Sequence, residues 1–325
     1  MRKTSLDMVY ELAKEDERIV FIGSDLGVGT LQQFRDEMPD RFFMEGVSEQ
    51  HLVGMAAGLA MEGKIVYLNT IATFLTRRCF EQIALDLCHH NLPVRLIGNG
   101  GGVVYAPLGP THLATDDIAI CRALPGMTIT AVSDANEMRR LMPLTVDHPG
   151  PIYIRLARGH DPIITPDDQQ FRIGKTYMMR ESQASNGCAD ALVITTGITL
   201  REALAAGEAL CKQGIEIAIL HVPTIKPLDG EAILRCVTET RAPIVCTVEE
   251  HNIIGGLGSA VAELLAENPP VHTPRFTRIG IPDVFPDKYG RQQNLIDHYN
   301  INASGIIDIV TGVTVTGEAN AVLLG

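Results

Sequence analysis

The sequence predicts an α/β protein built from two doubly wound domains. Short apolar runs alternate with longer helical stretches, which is typical of a parallel sheet covered by helices on both faces. In the first half of the chain these runs predict five strands, at residues 19–23, 64–69, 93–98, 127–132 and 151–156. In the second half they predict three strands, at 191–196, 216–222 and 243–248, and two helices, at 200–212 and 230–238.

Two stretches that disfavour regular structure separate these series. Prolines and adjacent aspartates occur at 162–168, and a polar stretch covers 180–187. Proline and clustered polar residues interrupt helices and strands. We therefore expect a first domain over residues 1–160, a linker over 161–187 and a second, smaller domain over 188–325.

Composition and charge narrow the class of protein. The chain has 325 residues, 46% of them hydrophobic, which is enough for two domains with their own cores. Its net charge of −12 and its lack of a basic run argue against nucleic acid as a partner. No apolar run reaches the roughly 18 residues of a membrane helix, and residues 1–7 carry charge where a signal peptide needs an apolar run. We therefore expect no membrane association and a cytoplasmic location.

The cysteines give no sign of a metal site. They number seven, are scattered along the chain and are never spaced as C-x-x-C. Such a pattern predicts neither a disulfide framework nor a zinc site, so we expect reduced cysteines in the core.

Ligands of open parallel sheets bind at the carboxyl ends of the strands, so the loops after the predicted strands are candidate sites. The first such loop, at 23–29, reads Gly-Ser-Asp-Leu-Gly-Val-Gly and contains Asp25. It resembles a phosphate-binding loop but does not match a complete dinucleotide fingerprint. A tight turn is the alternative.

A second candidate is Glu49, in the segment 44–51 that leads into a helix rich in Gly and Ala. Two interpretations stay open at this point. Ser48 could cap the helix, with Glu49 in a first turn whose dipole favours a carboxylate. Alternatively, Glu49 is buried and shares a proton with a ligand nitrogen, as catalytic carboxyls often do.

Two further loops carry candidate polar groups. Residues 99–112 form a long loop with Gly and Pro that ends in His112, which could exchange a proton with a ligand or be structural. Arg155 lies at the end of a buried-looking strand. Its guanidinium suits a phosphate or carboxylate ligand, and a salt bridge at the domain edge is the alternative.

The order of these motifs resembles the C-terminal half of transketolases. The matching features, in chain order, are Gly-Val-Ser-Glu-Gln-His at 46–51 with the small-residue helix after it, Thr-Phe-Leu at 73–75, Gly-Pro-Thr-His at 109–112, and Arg155. The resemblance covers nearly the whole chain and extends to deoxyxylulose-phosphate synthases and to the β subunits of 2-oxo-acid dehydrogenases. It implies a thiamine-diphosphate-binding fold, with a pyrimidine-binding domain followed by a smaller C-terminal domain.

The resemblance also implies a partner polypeptide. In this family a separate domain with a Gly-Asp-Gly motif holds the diphosphate of the cofactor and its metal, and this sequence contains no Gly-Asp-Gly. We therefore expect Mg²⁺ or Ca²⁺ to be bound through an N-terminal transketolase subunit, as in split transketolases. The expected assembly is an α2β2 complex that contains a homodimer of this chain.

Individual residues receive roles from the resemblance. Glu49 would hydrogen-bond the pyrimidine of thiamine diphosphate and activate it for transfer of a two-carbon ketol unit from a ketose to an aldehyde. The implied catalytic residues are Glu49 and His112. The implied cofactor-binding residues are Asp25, Glu49, Ile71 and Phe74. The implied substrate-binding residues are Arg2, Arg77, His112 and Arg155.

Three positions depart from the transketolase pattern. Ile71 stands where an aromatic ring usually stacks on the pyrimidine, and Leu108 stands where an acidic residue usually recognises an acceptor hydroxyl. Gly100 lies approximately where a histidine usually binds the sugar phosphate. Because an apolar residue cannot hydrogen-bond a hydroxyl, we expect an altered donor or acceptor.

Other functions stay open. A 2-oxo-acid dehydrogenase β-type subunit or a deoxyxylulose-phosphate-synthase-like subunit would share the fold and decarboxylate a 2-oxo acid. A non-catalytic regulatory subunit is a third alternative, although the presence of both Glu49 and His112 speaks against it. The incomplete glycine loops disfavour a nucleotide-binding dehydrogenase.

Overall fold

A computed structural model describes residues 1–24, 30–157, 159, 161–185 and 187–312. Up to residue 160 the helices and strands are α1 (Arg2–Glu15), β1 (Ile19–Gly23), α2 (Gln32–Glu37), β2 (Phe42–Met44), α3 (Glu49–Met61), β3 (Ile65–Ile71), α4 (Phe80–Gln82), β4 (Val94–Asn99), α5 (Asp117–Arg122), β5 (Thr128–Ala131), α6 (Ala135–Thr145) and β6 (Ile152–Leu156). Two π-helical segments, Phe74–Arg78 and Ile83–His89, flank α4.

The remaining elements follow residue 160. They are β7 (Tyr177–Arg180), β8 (Ala191–Thr195), α7 (Thr199–Cys211), β9 (Ile217–His221), β10 (Thr224–Lys226), α8 (Gly230–Thr240), β11 (Ile244–Asn252), α9 (Leu257–Glu267), β12 (Arg275–Ile281), α10 (Gln292–His298) and α11 (Ala303–Thr311). None of the helices in the described ranges is long and apolar enough to cross a membrane.

The first sheet has seven strands in the order β10-β5-β6-β4-β3-β1-β2. Neighbouring strands are parallel, except that β10 is antiparallel to β5. Every residue of β1, β4, β5 and β6 is buried, as expected for strands covered on both faces. Because β10 comes from the second half of the chain, that half supplies one edge of the first sheet.

The second sheet has five strands in the order β12-β11-β8-β9-β7 and is parallel except for β7, which is antiparallel to β9. The prediction of two doubly wound α/β units is confirmed. The linker expected over 161–187 is not free of regular structure, because residues 177–180 near its C-terminal end form β7. That strand is only four residues long, has no fully buried residue and lies at the edge of its sheet.

All eight predicted strands are present, and the four strands that the sequence did not predict lie at sheet edges. These are β2, β7, β10 and β12. An edge strand hydrogen-bonds on one side only and is often short or partly exposed. Two of the four have only three residues, and β12 is mostly half-buried. Apolar patterning therefore identifies central strands better than edge strands.

One apolar core continues from the first sheet into the second. It contains Val132 and Met138 from the first part of the chain and Ile198 and Leu200 from the second part, all of them buried. The two parts therefore pack directly against each other.

Asp134 hydrogen-bonds the first residues of the predicted linker and so attaches them to the first part of the chain. Its carboxylate caps α6 by accepting from the backbone N–H groups of Asn136 and Glu137, at 2.9 and 3.0 Å. It also accepts from the N–H groups of Ile164 and Thr165, at 2.8 and 2.7 Å, and from the Thr165 hydroxyl. Burial alone would raise the pKa of Asp134, but these hydrogen bonds hold it below its ordinary value.

We expect Asp134→Ala to lower the free energy of unfolding by about 2–4 kcal/mol, because a helix cap and several buried N–H groups lose their acceptor. The folded pKa lies below the unfolded value of 3.8, so the stabilisation is complete above that pH and is lost as the pH falls through the folded pKa. Urea unfolding at pH 7 and at acid pH measures both effects. The exposed Asp168 of the same segment supplies the control variant, Asp168→Ala, and equal losses in the two variants would contradict the assignment.

Candidate active site

The carboxyl ends of the central strands of the first sheet form a polar floor. Asn69 in β3 and Asn99 in β4 exchange amide hydrogen bonds of 3.3 and 2.9 Å and are buried. The hydroxyls of Ser24 and Thr70 bond to each other beside them. This edge is where ligands of parallel sheets bind. Asp25, predicted to bind the cofactor, follows Ser24 and lies outside the described residues.

Glu49 is the first residue of α3, and its side chain is buried, with 2% exposed. The interpretation of Ser48 as a side-chain cap is wrong. Its hydroxyl donates to the carbonyl of Glu45 at 3.2 Å, and no side-chain cap bond is made to the helix. Glu49 is buried, as its interpretation as a catalytic carboxyl requires.

Arg78 connects Glu49 to two other predicted site residues. Its Nη1 donates to Glu49 Oε2 at 2.8 Å, and its guanidinium lies over the Phe74 ring at 4.7 Å. The Phe74 ring packs edge-on against the His112 ring, with 5.1 Å between centroids. Glu49, Phe74 and His112 are thus connected by successive side-chain contacts, with Arg78 between Glu49 and Phe74. Arg78 is not among the residues that the sequence predicts for the site, and its only signal is an Arg-Arg pair that follows Thr-Phe-Leu-Thr.

The two arginines of that pair are the last two residues of the π-helical segment Phe74–Arg78, and their side chains point to different partners. A π-helix fits an extra residue into a turn and so changes the direction of the side chains that follow, often at functional sites. Arg78 reaches Glu49, whereas Arg77 Nε donates to both oxygens of Asp116, at 2.9 and 2.8 Å. Arg77, predicted to bind substrate, is therefore paired within the chain, at a partly exposed position.

Arg155 is buried and paired within the chain. It is 6% exposed, its Nε donates to Asp117 Oδ2 at 2.8 Å, and its Nη2 donates to the carbonyls of Ala114 and Glu250, at 3.2 and 2.8 Å. Burial would raise the pKa of Asp117, and the adjacent Arg155 guanidinium is the main influence that holds it below its usual value. The salt bridge lies within the first part of the chain, the hydrogen bond to the Glu250 carbonyl reaches the second part, and a contact of Arg155 with substrate stays a prediction.

Arg2 lies at a cavity of about 190 Å³ that also collects the unusual positions of loop 99–112. The lining residues are Arg2, Asn99, Gly100, Val104, Tyr105, Pro107, Leu108, Ala157 and Gly159. Gly100 and Leu108, the two departures in the substrate region, are thus neighbours of Arg2. Ile71 ends β3 opposite Asn99 and is half-buried.

A larger cavity, of about 390 Å³, lies between residues 170–178 and α8. None of the residues predicted to act in catalysis or binding lines it. In the part of the chain that the structure describes, no group of three or more His, Cys, Asp or Glu side chains is placed to hold a metal ion. The candidate site is therefore the strand-end region around Glu49, His112 and Arg2.

Comparison with known protein families identifies both domains of the chain. Residues 1–162 match the family described as transketolase, pyrimidine binding domain, and residues 183–306 match transketolase, C-terminal domain. The chain belongs to the transketolase family. The resemblance from sequence motifs is thereby confirmed, as is the succession of a pyrimidine-binding and a C-terminal domain.

Several transketolase-family relatives are subunits of similar length. The chain is 39% identical over 308 residues to one of the subunits of the apulose-4-phosphate transketolase of Phocaeicola vulgatus, covering 94% of each chain. It is 37% identical over 297 residues to a 6-deoxy-6-sulfo-D-fructose transketolase subunit of Clostridium sp. (strain MSTE9), covering 89% of this chain and 90% of that one. A 1-deoxy-D-xylulose-5-phosphate synthase of Geobacter sulfurreducens is 40% identical over 304 residues, which are 92% of this chain but 46% of the synthase.

Solved transketolase structures share the fold. A split gene transketolase, described as an inactive β4 tetramer, superposes with a TM-score of 0.83 at 32% identity over 96% of both chains. The transketolase of Campylobacter jejuni gives a TM-score of 0.78 at 15% identity over 96% of this chain and 46% of that one, a likeness of fold alone. The chain is therefore a subunit of a split transketolase, a transferase of a thiamine-diphosphate-dependent family.

The candidate site fits the aminopyrimidine part of thiamine diphosphate. Glu49 offers a buried carboxylate, and among the described residues its only hydrogen-bond partner is Arg78, at Oε2. Oε1 is therefore available to a ligand nitrogen. Phe74 and the half-buried Ile71 add an aromatic and an aliphatic surface, as small-molecule pockets usually have around a few polar groups.

We expect Arg78 and Glu49 to be energetically coupled. In a double-mutant cycle of Arg78→Ala and Glu49→Ala, the coupling free energy of unfolding should be about 1–2 kcal/mol, because a charged hydrogen bond is lost from a buried carboxylate but Arg78 is partly screened by solvent. Urea unfolding of the four proteins measures it. Arg77→Ala combined with Glu49→Ala is the control and should be additive, since Arg77 pairs with Asp116. Additivity in both cycles would contradict the Arg78–Glu49 contact.

Proposed function

We propose that Glu49 activates thiamine diphosphate in this split transketolase. The observation that carries the proposal is the burial of Glu49, 2% exposed, at the start of α3 and its link through Arg78 to Phe74 and His112. A hydrogen bond between a ligand nitrogen and a carboxylate away from water is electrostatically stronger than one to an exposed carboxylate, because the surrounding dielectric is low.

In this proposal thiamine diphosphate supplies the carbon that takes up the two-carbon ketol unit and the electron sink for carbon–carbon cleavage. Glu49 Oε1 hydrogen-bonds the pyrimidine nitrogen and holds the proton there. Arg78 keeps Oε2 occupied and so fixes the orientation of the carboxylate. Asp25, Ile71 and Phe74 form the rest of the proposed pyrimidine pocket.

His112 is proposed to exchange a proton with the donor ketose. The Thr111 hydroxyl hydrogen-bonds His112 Nδ1 at 2.9 Å, and the Phe74 ring packs against the imidazole. Nε2 has no partner among the described residues and is available to a substrate hydroxyl. A histidine whose other nitrogen is already bonded is oriented for proton transfer.

A second polypeptide is proposed to hold the diphosphate and its Mg²⁺ or Ca²⁺. Support comes from the relatives, which are named as subunits, and from the matched domains, which are the pyrimidine-binding and C-terminal ones.

A homodimer of this chain within an α2β2 complex is supported by α3, where a Cβ atom added at Gly54 or Gly58 would meet open space. Small residues on such a face allow a second helix to approach closely. The complex is proposed to act in cytoplasmic carbohydrate metabolism.

Glu49→Gln is expected to lower kcat of the reconstituted complex by about 10²–10⁴-fold, because the amide cannot accept the proton. Ketol transfer from xylulose 5-phosphate to ribose 5-phosphate, or to another aldehyde that the wild type accepts, measures the effect. Size-exclusion chromatography should show unchanged assembly, since the amide still accepts from Arg78.

The matched control is Glu45→Gln, four residues earlier and exposed, which should retain wild-type rates. Full activity of Glu49→Gln would contradict the proposal that Glu49 activates the cofactor.

The substrate is proposed to differ from those of ordinary transketolases. Arg2 places a cation in the 190 Å³ cavity, and it has no ion pair among the described residues. Leu108, Pro107 and Val104 give the cavity apolar walls. An anionic sugar whose remaining surface includes a less hydroxylated part would match both features.

Leu108→Asp is expected to raise kcat/KM for ribose 5-phosphate by about tenfold, because a carboxylate can hydrogen-bond the acceptor hydroxyl that leucine cannot. Leu108 is half exposed, at 52%, so the substitution should be tolerated. Leu108→Ala is the control: it removes the apolar wall without adding an acceptor and should leave this preference unchanged. Equal gains in both variants would show that size, not hydrogen bonding, limits the acceptor.

A decarboxylating reaction is the second candidate, and the 40% identity to a deoxyxylulose-phosphate synthase favours keeping it. Pyruvate consumption by the reconstituted complex distinguishes the two. Carbon dioxide release from pyruvate without ketol transfer would replace the transketolase proposal.

A further inference from the structure

The loop that carries His112 is held by the second part of the chain. Glu250, near the end of β11, is 2% exposed, and its Oε1 accepts from the backbone N–H of Val103 at 2.9 Å. The same oxygen accepts from Gln292 Nε2, on α10, at 2.8 Å. One carboxyl oxygen therefore joins loop 99–112 to a strand and a helix of the second sheet region.

The loop backbone is shaped to lie against these side chains. Gly102 has φ +72, and a Cβ atom added to it would overlap the Glu250 carboxyl carbon. Gly109 has φ +76, and a Cβ atom there would lie 2.6 Å from the Tyr289 ring. Since both positions require glycine for conformation and for space, the loop touches the second part of the chain near each of its ends.

Arg155 holds Glu250 from the other side. It donates from Nη2 to the Glu250 carbonyl at 2.8 Å while its Nε is paired with Asp117. Strand β6, helix α5 and strand β11 are thus tied to one another where the loop begins. A movement of β11 would be transmitted to the backbone of Val103.

We infer that Glu250 is a positioning residue for the proposed active site: with Gln292 and Tyr289 it holds loop 99–112, and so sets the places of Leu108 and His112. The role in ketol transfer rests on the proposed function, whereas the holding of the loop does not. The C-terminal domain, on this inference, shapes the substrate site of the pyrimidine-binding domain.

The protonation of Glu250 agrees with this arrangement. Burial raises its pKa to about 7, against the opposing effect of Arg155. The other charged groups that face it are Asp161, and Asp117 through its pair with Arg155. Oε2 is buried without a partner among the described residues, which suits a protonated carboxyl better than a charged one. Glutamine, which is neutral and of the same shape, therefore preserves both hydrogen bonds to Oε1.

Hydrogen exchange of the full chain tests the inference without need of turnover. In Glu250→Ala the peptides of loop 99–112 should exchange about fivefold faster, because Val103 N–H loses its acceptor, whereas Glu250→Gln should match the wild type. Peptides of α3 should be unaffected in both. Wild-type exchange rates in Glu250→Ala, or equal acceleration in both variants, would overturn the inference.

A milder pair of variants covers the case in which Glu250→Ala does not fold. Gln292→Ala should speed loop exchange about twofold, and Gln293→Ala, at the next position of α10, should not. Identical exchange in these two would likewise overturn the inference.

The reconstituted complex supplies the functional readout. KM for the acceptor, ribose 5-phosphate, should rise about fivefold in Glu250→Ala with less change in kcat, and should return to the wild-type value in Glu250→Gln. Raised loop exchange in a complex that lacks ketol transfer would preserve the positioning role and refute the proposed function. An unchanged KM in an active Glu250→Ala complex would refute the effect on the substrate site.

Discussion

The buried guanidinium of Arg155 joins the two domains beside the candidate site, because it pairs with Asp117 in the first domain and donates to the Glu250 carbonyl in the second. A charge removed from water must be paired, or the structure loses several kcal/mol. Arg155 meets this requirement with Asp117 from α5 and with carbonyls of the 99–114 region and of β11. The strand end, the loop and the second sheet must therefore occupy fixed relative positions. The hydrogen bonds of Arg155 therefore connect the two domains and also hold the backbone beside the candidate site.

Apolar patterning was sufficient for the central strands and insufficient for the edges. Strands such as β1 and β8 are buried on both faces and are nearly continuous apolar runs, whereas β7 and β10 are short, and each is recognisable only by the neighbour it pairs with. The same physical reason applies at the site. Glu49 and His112 lie in motifs of adjacent residues, so the sequence could indicate them. Arg78 acts on a residue 29 positions away and Glu250 on one 147 positions away, and no local pattern encodes such contacts.

The interpretation of individual residues changed where burial decided between two alternatives. From its sequence position Arg155 is equally suited to a ligand and to a salt bridge, and the structure shows it 6% exposed with Asp117 as its partner. Ser48 had the composition of a cap but bonds backwards to Glu45. Glu49, in contrast, is more enclosed than a helix-capping role needs. Local sequence indicates which contacts these side chains are able to make, and the packing around them determines which of those contacts form.

Strand β10 makes the two domains dependent on each other as parts of one gene segment. It leaves the second part of the chain to complete the first sheet beside β5, so a cut between the domains would leave an unpaired strand edge open to aggregation. The same two-domain block spans 94% of a separate subunit in one relative and aligns with 46% of a longer single chain in another. Gene fission and fusion in such a lineage would leave this block intact, because a break inside it would remove β10 from the first sheet.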